Sequence, residues 1–268
     1  MNPLSLSFEQ QQTNHHQTFL RQSKRESGFL WVLFMLVCGF VLMMKQSTNH
    51  GLFLHINQAS QHFSPALLAS ITDLGNGIVT GSLLIIILCF KPAWILRVML
   101  AAIICLAATH FLKNYFDALR PASQLAQLHI VGDARHSNSF PSGHTATIFL
   151  LAGTVFLSST RQLSRMLLLS LAVIVGFSRV SVGAHWPIDV ALGAVIGWSS
   201  IYAASALNTS LVTKQAQFLL LATLLLLLSS LSVINNSEFP QLPIVEQLQI
   251  FYLFAAGVCL FARYVYRQ

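Results

Sequence analysis

Charged residues are scarce in this chain. Only 9% of its 268 residues are Asp, Glu, Lys or Arg, whereas 54% are hydrophobic. A soluble domain has about a quarter of its residues charged, so the composition excludes an ordinary soluble protein. The apolar residues also form runs that are too long for ordinary core helices. We therefore predict an all-α, polytopic membrane protein, folded as a helical bundle.

Cysteine is also rare, and its placement excludes a disulfide framework. The 4 cysteines form no Cys-x-x-Cys pair, and all of them fall within apolar runs rather than in outer loops. Their positions are Cys38, Cys89, Cys105 and Cys259. The Cys, His and acidic residues show no metal-ligand spacing. The sequence therefore predicts no metal site and no cofactor.

The net charge of +7 does not indicate a nucleic-acid partner. The sequence has no basic stripe interleaved with aromatic residues, which is the pattern typical of a nucleic-acid groove. Loops rich in Lys and Arg on the cytoplasmic side of a membrane explain the excess of positive charge. We predict that the chain binds membrane lipids and no nucleic acid.

Eight apolar segments are candidates for membrane spans, because a helix needs about 17–20 apolar residues to cross the hydrocarbon. They lie near residues 28–45, 66–90, 94–112, 143–160, 165–182, 187–207, 216–234 and 247–265. Asp73, Asn76 and several glycines interrupt the first half of the second segment. We expect a polar, mostly disordered cytoplasmic tail over 1–27, a six-span core over 28–207 and two additional transmembrane helices over 208–268.

The basic residues predict the orientation of the bundle, because cytoplasmic loops are enriched in Lys and Arg. With the N-terminus inside, ten of the 15 basic residues fall on the cytoplasmic side. The outer side keeps Lys45, Lys113, Arg120, Arg135 and Arg179. We therefore predict that both termini are cytoplasmic.

Three short motifs place ionisable residues beside apolar segments, where charges are costly and usually functional. They are Lys113-(six residues)-Arg120-Pro121, Pro141-Ser142-Gly143-His144, and Ser178-Arg179-(five residues)-His185-(three residues)-Asp189. In the predicted topology all three motifs lie at the outer face of the membrane. Three fixed cations and two imidazoles at one level suit the binding and cleavage of a phosphate ester.

The residue types also indicate individual roles. Lys113, Arg120 and Arg179 can neutralise phosphate oxygens. Ser142 and the N–H group of Gly143 begin a helix, where unsatisfied N–H groups favour an anion. Since Pro187 suits a first helical position, Asp189 falls within reach of the His185 imidazole. Spacing alone leaves open whether His185 or His144 attacks phosphorus.

With these motifs the chain resembles the type-2 phosphatidic acid phosphatase superfamily of integral membrane lipid phosphatases, which shares its site with vanadium haloperoxidases. All three signature blocks are present in the family's order, and the resemblance covers roughly residues 66–207. It implies a six-helix phosphatase core, with His185 as a nucleophile that becomes a transient phosphohistidine. It also implies that His144 protonates the leaving alcohol and later activates water. The two C-terminal helices depart from this core.

We therefore expect metal-independent hydrolysis of a lipid phosphate or polyprenyl pyrophosphate, in a bacterial cytoplasmic membrane, at a site facing the periplasm or exterior. One alternative is a lipid phosphotransferase, which would use the same phosphohistidine with a lipid acceptor. Another is a membrane scaffold or transporter that retains a dead site. The residues name neither the lipid nor the oligomeric state.

Overall fold

The computed structural model of the protein describes residues 8–206, 213–235 and 237–266, and its regular structure in these ranges is helical. The helices are α1 (Phe8–Met43), α2 (Gln46–Ser60), α3 (Pro65–Asp73), α4 (Gly77–Phe90), α5 (Ile95–Phe116), α6 (Pro121–Gln124), α7 (Gly143–Ser158), α8 (Gln162–Ser181), α9 (Pro187–Ser205), α10 (Lys214–Ile234) and α11 (Pro243–Phe261). This confirms the predicted all-α class.

The long helices match the predicted membrane spans. Within the described ranges, 6 helical segments are long and apolar enough to cross a membrane, and α3 and α4 add a seventh span bent by 53°. Helix α7 is apolar but shorter. Each of the eight predicted segments is therefore helical. The division into tail, core and C-terminal pair stays a prediction, because residues 207–212 at the second boundary lie outside the described residues.

Two segments differ from the sequence-based expectation. Helix α1 begins at Phe8, so residues 8–27 are helical where we expected a mostly disordered tail. This stretch contains no Gly or Pro and is rich in Gln and Glu, which are good helix formers; residues 1–7 lie outside the described residues. Helix α2 was not predicted, because its buried face mixes Phe53 with Asn49, Asn57 and Ser60 and lacks an apolar periodicity.

The break in the second span runs along the start of α7. The side chain of Asn76 accepts a hydrogen bond from the Ile78 amide (2.9 Å) and so caps α4. A Cβ atom at Gly75 would lie 2.7 Å from the carbonyl oxygen of His144. The missing side chain at Gly75 therefore lets the α3–α4 break lie directly against the beginning of α7.

Glycines on α9 allow α7 and α9 to pack backbone against backbone. A Cβ atom at Gly197 would lie 2.0 Å from the carbonyl oxygen of Ala146, and one at Gly193 would lie 2.5 Å from that of Ser142. The amide of Ser142 donates a hydrogen bond to the carbonyl of Asp189 (2.9 Å). This close approach brings the starts of α7 and α9 together at one end of the bundle.

Aromatic packing joins α1 to the same core. The ring of Trp198 stacks on that of Phe29 with centroids 4.3 Å apart, and its indole N–H donates to the Phe29 carbonyl (3.1 Å). Both side chains are fully buried. The core therefore extends across α1, α7 and α9, the last two of which carry site residues at their first turns.

Helices α10 and α11 are integrated into the bundle. They pack against each other and against α4, and Leu228 of α10 fills the space left open by Gly81. On α11, Gln249 donates to the buried carboxylate of Asp73 at 2.9 and 3.1 Å. The segment between these two helices lies at the same end of the bundle as the three motifs.

Candidate active site

Four helix ends bring the predicted site residues together. Lys113 lies in the last turn of α5, and Arg179 in the last turn of α8. Ser142 caps the start of α7, and Asp189 lies in the first turn of α9. Because successive spans run in opposite directions, these ends meet at one level of the bundle. The contacts described below join the helix ends into a single cluster.

His185 is held by the carboxylate of Asp189. The Nδ1 atom of His185 lies 3.2 Å from Oδ2 of Asp189. The same oxygen accepts hydrogen bonds from the amide of Trp186 (2.9 Å) and from the hydroxyl of Ser139. His185 and Asp189 are both almost completely buried, so the imidazole has one fixed orientation.

Arg120 lies on the other side of the same imidazole. Its Nη1 atom is 3.4 Å from Nε2 of His185 and donates to the Ala184 carbonyl at 2.9 Å, while its Nε donates to the Ser137 carbonyl at 2.9 Å. A guanidinium can only donate, so the nearby Nε2 is the unprotonated nitrogen. His185 is therefore neutral, with its proton on Nδ1 and its lone pair on Nε2.

The loop before the second motif orients the cations with backbone carbonyls. The Nζ atom of Lys113 donates to the Asn138 carbonyl at 2.6 Å, and Nη2 of Arg120 lies 3.4 Å from the same oxygen. Asn138 has a left-handed backbone with φ of 54°, a conformation that Asn tolerates better than most residues. The sequence did not indicate these contacts, because backbone carbonyls leave no signature in a sequence.

The start of α7 is a helix N-terminus with open space beside it. The hydroxyl of Ser142 accepts a hydrogen bond from the hydroxyl of Thr145 (3.0 Å) and lies 3.4 Å from the Thr145 amide. Ser142 is fully buried, whereas a Cβ atom at Gly143 would meet nothing within 4 Å. The backbone at Gly143 is therefore open to a ligand, in agreement with the role predicted for it.

The sequence analysis missed an acidic residue in this site. Glu238, between α10 and α11, pairs with Arg179: its Oε1 lies 2.7 Å from Nη2, and its Oε2 lies 3.3 Å from Nη1. Oε2 is also 3.4 Å from Nε2 of His144. Nη1 of Arg179 also donates to the hydroxyl of Thr72 (3.3 Å). The available signal was an acidic residue in a predicted outer loop, on the same side as the motifs.

Two buried nitrogens of the site are left without hydrogen-bond partners among the described residues. They are Nε of Arg179 and Nε2 of His144. Buried donors are normally satisfied, and exceptions often mark a ligand or catalytic position. Both atoms lie beside the Glu238 carboxylate, so they mark the place where a further anion oxygen could bind.

Burial and the cluster of cations together set the protonation of His185 and Glu238. Burial lowers the pKa of His185 well below its ordinary value, and the charges of Arg120, Arg179 and Lys113 lower this pKa further. Burial alone would raise the pKa of Glu238, but Arg179 and His144 outweigh burial and bring this pKa well below the ordinary range. At neutral pH His185 is therefore neutral and Glu238 is ionised.

An apolar cavity of about 400 Å³ leads from the bundle interior to the catalytic end. Side chains of α4, α5, α7 and α10 line it, among them Leu84, Val98, Leu150 and Leu224. At its polar end the lining includes Lys113, Gly143 and His144. Such a cavity suits an apolar chain attached to a group bound at the site.

No group of three or more His, Cys, Asp or Glu residues in the described part of the chain has a geometry that could hold a metal ion. Asp73 and Glu238 instead bind side chains of the protein, Gln249 and Arg179 respectively.

Comparisons with known proteins agree with this geometry. An undecaprenyl-diphosphatase of Sulfolobus acidocaldarius is 26% identical over 197 residues, covering 71% of this chain and 95% of that protein. The crystal structure of Aquifex aeolicus LpxE is 29% identical with a TM-score of 0.56, and the match covers 60% of this chain and 96% of LpxE. The bacitracin transport permease protein BcrC of Bacillus licheniformis is 37% identical over 78 residues, but this match covers only 37% of that relative.

The helical membrane fold and the histidine- and arginine-lined site together define an integral membrane phosphatase. The family model described as the PAP2 superfamily matches residues 92–212, a range that contains all three motifs. This match confirms the resemblance to that superfamily noted from the motifs. Helices α10 and α11, and Glu238 in the loop between them, lie beyond the matched residues.

Proposed function

We propose that this protein hydrolyses a lipid phosphate or diphosphate without a metal ion, through a phosphohistidine formed on His185. The observation that carries the proposal is the pair of contacts on the His185 ring. Nδ1 faces Asp189 at 3.2 Å, and Nε2 faces the guanidinium of Arg120 at 3.4 Å. The buried imidazole thus presents a lone pair at the point where a phosphate would be held.

Binding of the phosphoryl group is assigned to the cations and to the start of α7. Lys113, Arg120 and Arg179 neutralise its oxygens, and the guanidinium groups add directional control. The N–H groups of the first turn of α7, beginning at Gly143, donate to the remaining oxygen. Such preorganised donors in a partly dry site are usually the largest single contribution to catalysis.

In the first step Nε2 of His185 attacks phosphorus and the bond to the leaving oxygen breaks. His144, protonated for this step, gives its proton to that oxygen, so the alcohol or phosphate leaves in protonated form. The Asp189 carboxylate accepts the Nδ1–H hydrogen bond and stabilises the positive charge that develops on the ring. The product of this step is an Nε2-phosphohistidine.

In the second step water attacks the phosphohistidine. His144, now neutral, takes a proton from the water as the P–N bond breaks, and phosphate and neutral His185 are regenerated. The same intermediate could transfer its phosphoryl group to a lipid hydroxyl. This is the phosphotransferase alternative, which differs only in the acceptor.

A lipid substrate is supported by the apolar cavity that ends at Lys113, Gly143 and His144. The Sulfolobus relative is an undecaprenyl-diphosphatase, which makes a polyprenyl diphosphate the first substrate to test. The hydrocarbon chain would lie among α4, α5, α7 and α10, with the phosphate group at the cluster of cations.

We also propose that the site faces the outside of a bacterial cytoplasmic membrane, with both termini in the cytoplasm. Basic residues mark the opposite end of the bundle, where Arg165 donates to the Ser159 carbonyl (2.7 Å) and Arg263 to the Cys89 carbonyl (3.1 Å). Enrichment in Lys and Arg is typical of the cytoplasmic side.

The test is phosphate release by the purified protein in detergent, with a chelator present. Undecaprenyl diphosphate, phosphatidic acid and phosphatidylglycerol phosphate are compared as substrates for the wild type and His185→Ala. We expect metal-independent release from at least one lipid, and its loss in His185→Ala by about a thousandfold or more. His55→Ala is the control, because His55 is exposed on α2.

Two results would contradict the proposal. Activity that survives in His185→Ala would refute the nucleophile assignment, and activity that disappears with chelator and returns with a divalent ion would refute metal independence. Release that appears only when an acceptor lipid is added would favour the phosphotransferase.

A further inference from the structure

Glu238 binds the groups that the proposed reaction needs for phosphate. Its two carboxylate oxygens accept hydrogen bonds from the two terminal nitrogens of Arg179. The Oε2 atom of Glu238 also lies 3.4 Å from the Nε2 atom of His144. The side chains of Arg179 and Glu238 are 1% and 9% exposed. This is a buried, bidentate ion pair. Arg binds phosphate in the same bidentate geometry.

The inference rests on the proposed phosphatase site. We propose that Glu238 is a displaceable stand-in for the substrate: its carboxylate occupies the phosphoryl position in the free protein and must leave before a phosphate can bind. Glu238 would thus determine how tightly phosphate-type anions bind. The loop that joins the C-terminal helices α10 and α11 positions this residue.

The carboxylate and a phosphoryl group cannot share these donors. Both are anions, and both need the same two terminal nitrogens of Arg179. A carboxylate left in place would repel an incoming phosphate at a distance where buried charges are poorly screened. Binding of one group therefore requires departure of the other.

A phosphoryl group satisfies this position better than the carboxylate does. Nε of Arg179 and Nε2 of His144 are buried without hydrogen-bond partners while Glu238 is present. A carboxylate has two oxygens, and both are engaged with Arg179. A phosphoryl group carries additional oxygens that can reach the remaining donors, so exchange satisfies nitrogens that Glu238 leaves unpaired.

The backbone around Glu238 is anchored, so displacement falls to the side chain. The neighbouring Phe239 is 1% exposed and packs in an apolar cluster with Leu68 and Val182. The carbonyl of Glu238 accepts a hydrogen bond from the Asp133 amide at 3.1 Å. These contacts hold the loop between α10 and α11 in place while the side chain rotates.

A polar cavity beside Glu238 can receive the displaced carboxylate. This cavity of about 380 Å³ is separate from the apolar one, and Glu238 itself lines it. The lining includes Ser237 and the surface-exposed Glu246, together with Asn76 and Gln249, whose amides donate to Asp73. Rotation of one side chain would thus move the carboxylate away from Arg179 and into this cavity.

The test measures anion binding separately from turnover. Vanadate and inorganic phosphate are titrated by calorimetry into purified full-length wild type, Glu238→Gln and Glu238→Asp. Gln keeps the size of the side chain and removes its charge, whereas Asp keeps the charge and shortens the reach to Arg179. Asp133→Asn is the control, because it removes an exposed carboxylate of the neighbouring loop that lies outside the Arg179 pair.

We expect the affinity of Glu238→Gln for vanadate to be at least about tenfold higher than that of the wild type. The reason is that a charged Glu238 side chain no longer competes with vanadate for Arg179. Glu238→Asp should change in the same direction, and Asp133→Asn should bind as the wild type does. In turnover, KM should fall in Glu238→Gln without loss of kcat. Thermal unfolding in detergent establishes that each variant is folded.

The contrary results are distinct. If the wild type and both Glu238 variants bind vanadate with equal affinity, Glu238 does not compete with the phosphoryl group. That result would refute the inference but leave the proposed phosphatase site intact. Weaker vanadate binding, or a fall in kcat, in a folded Glu238→Gln would show instead that Glu238 positions Arg179 and His144 during catalysis. Failure of every folded variant to bind either anion would refute the proposed site and the inference with it.

Discussion

The two imidazoles of the site have different surroundings, which are consistent with the different roles proposed for them. His185 is clamped between Asp189 and Arg120 and is 2% exposed, so its tautomer and orientation are fixed. His144 borders the apolar cavity and has an unpaired Nε2. A fixed lone pair suits a nucleophile, whereas a ring beside the entering chain suits proton transfer to and from the leaving oxygen.

The carboxylate of Asp189 should be needed as a charge and not only as a hydrogen-bond acceptor. Asp189→Asn keeps the size of the side chain but removes the charge that stabilises the ring during attack. We expect kcat to fall about a hundredfold or more while KM changes little. Steady-state kinetics on the preferred lipid provide the measurement, and a kcat within twofold of the wild type would contradict this role.

Acidification should destabilise the folded protein through His185 and Glu238. Both have folded pKa values below their unfolded values, which are about 6.5 for His and 4.3 for Glu. The unfolded state therefore binds more protons, so each contribution is complete above its unfolded pKa and is lost as the pH falls towards the folded value. Loss through His185 thus begins at a higher pH than loss through Glu238.

The thermal midpoint in detergent should consequently fall between about pH 7 and pH 5 in the wild type. His185→Asn removes the first of the two groups, so its midpoint should fall less over the same interval. Parallel curves for the two proteins would contradict the depressed pKa of His185.

The eight proposed site residues could be grouped from sequence because each motif is local. Helix ends and short spacings determine which residues share a turn, as with His185 and Asp189. Glu238 could not be paired with Arg179 in this way, because 59 residues separate them and only the packing of α10 and α11 unites them. Ser139 was missed for a related reason: 50 residues separate its hydroxyl from Asp189.

At the scale of helices, the contact between α7 and α9 is the one on which the site geometry most depends. Gly197→Ala would place a methyl group 2.0 Å from the carbonyl oxygen of Ala146 and force the two helices apart. We expect a loss of about 1–3 kcal/mol or more in stability, together with a fall in activity. Gly39→Ala on α1 is the matched control, because a Cβ atom there meets nothing within 4 Å.

Thermal unfolding and phosphate release of these two variants provide the measurement. A Gly197→Ala protein as stable and active as Gly39→Ala would show that the close approach of α7 and α9 is not required.

Sequence patterns predicted the long apolar helices but not the polar or broken ones. Runs of apolar residues identify a span directly, whereas α2 buries Asn49 and Asn57 through hydrogen bonds to other segments, including one from Asn57 to the His129 carbonyl (2.7 Å). The irregular second span was expected from Asp73 and Asn76. Its bend of 53° depends on tertiary contacts at Gly75 and Gln249.

At the scale of the whole molecule, the proposed orientation can be tested by labelling. Gln127→Cys lies at the catalytic end and Thr160→Cys at the opposite end, and both positions are exposed. In intact bacteria we expect a membrane-impermeant maleimide to label Gln127→Cys, and to label Thr160→Cys only after permeabilisation. The native cysteines all lie within helices, and the unmodified chain serves as the background control. The reverse labelling pattern would contradict cytoplasmic termini.

The central claim is that the phosphoryl group passes through His185, and the most direct measurement is to trap it there. Purified protein is mixed with undecaprenyl diphosphate carrying a labelled terminal phosphate, quenched in alkali and analysed by peptide mass spectrometry. We predict an acid-labile, alkali-stable phosphoryl group on His185 in the wild type and none in His185→Ala. A phosphoryl group on another residue, or turnover without a protein-bound phosphoryl group in rapid-quench samples, would contradict the account.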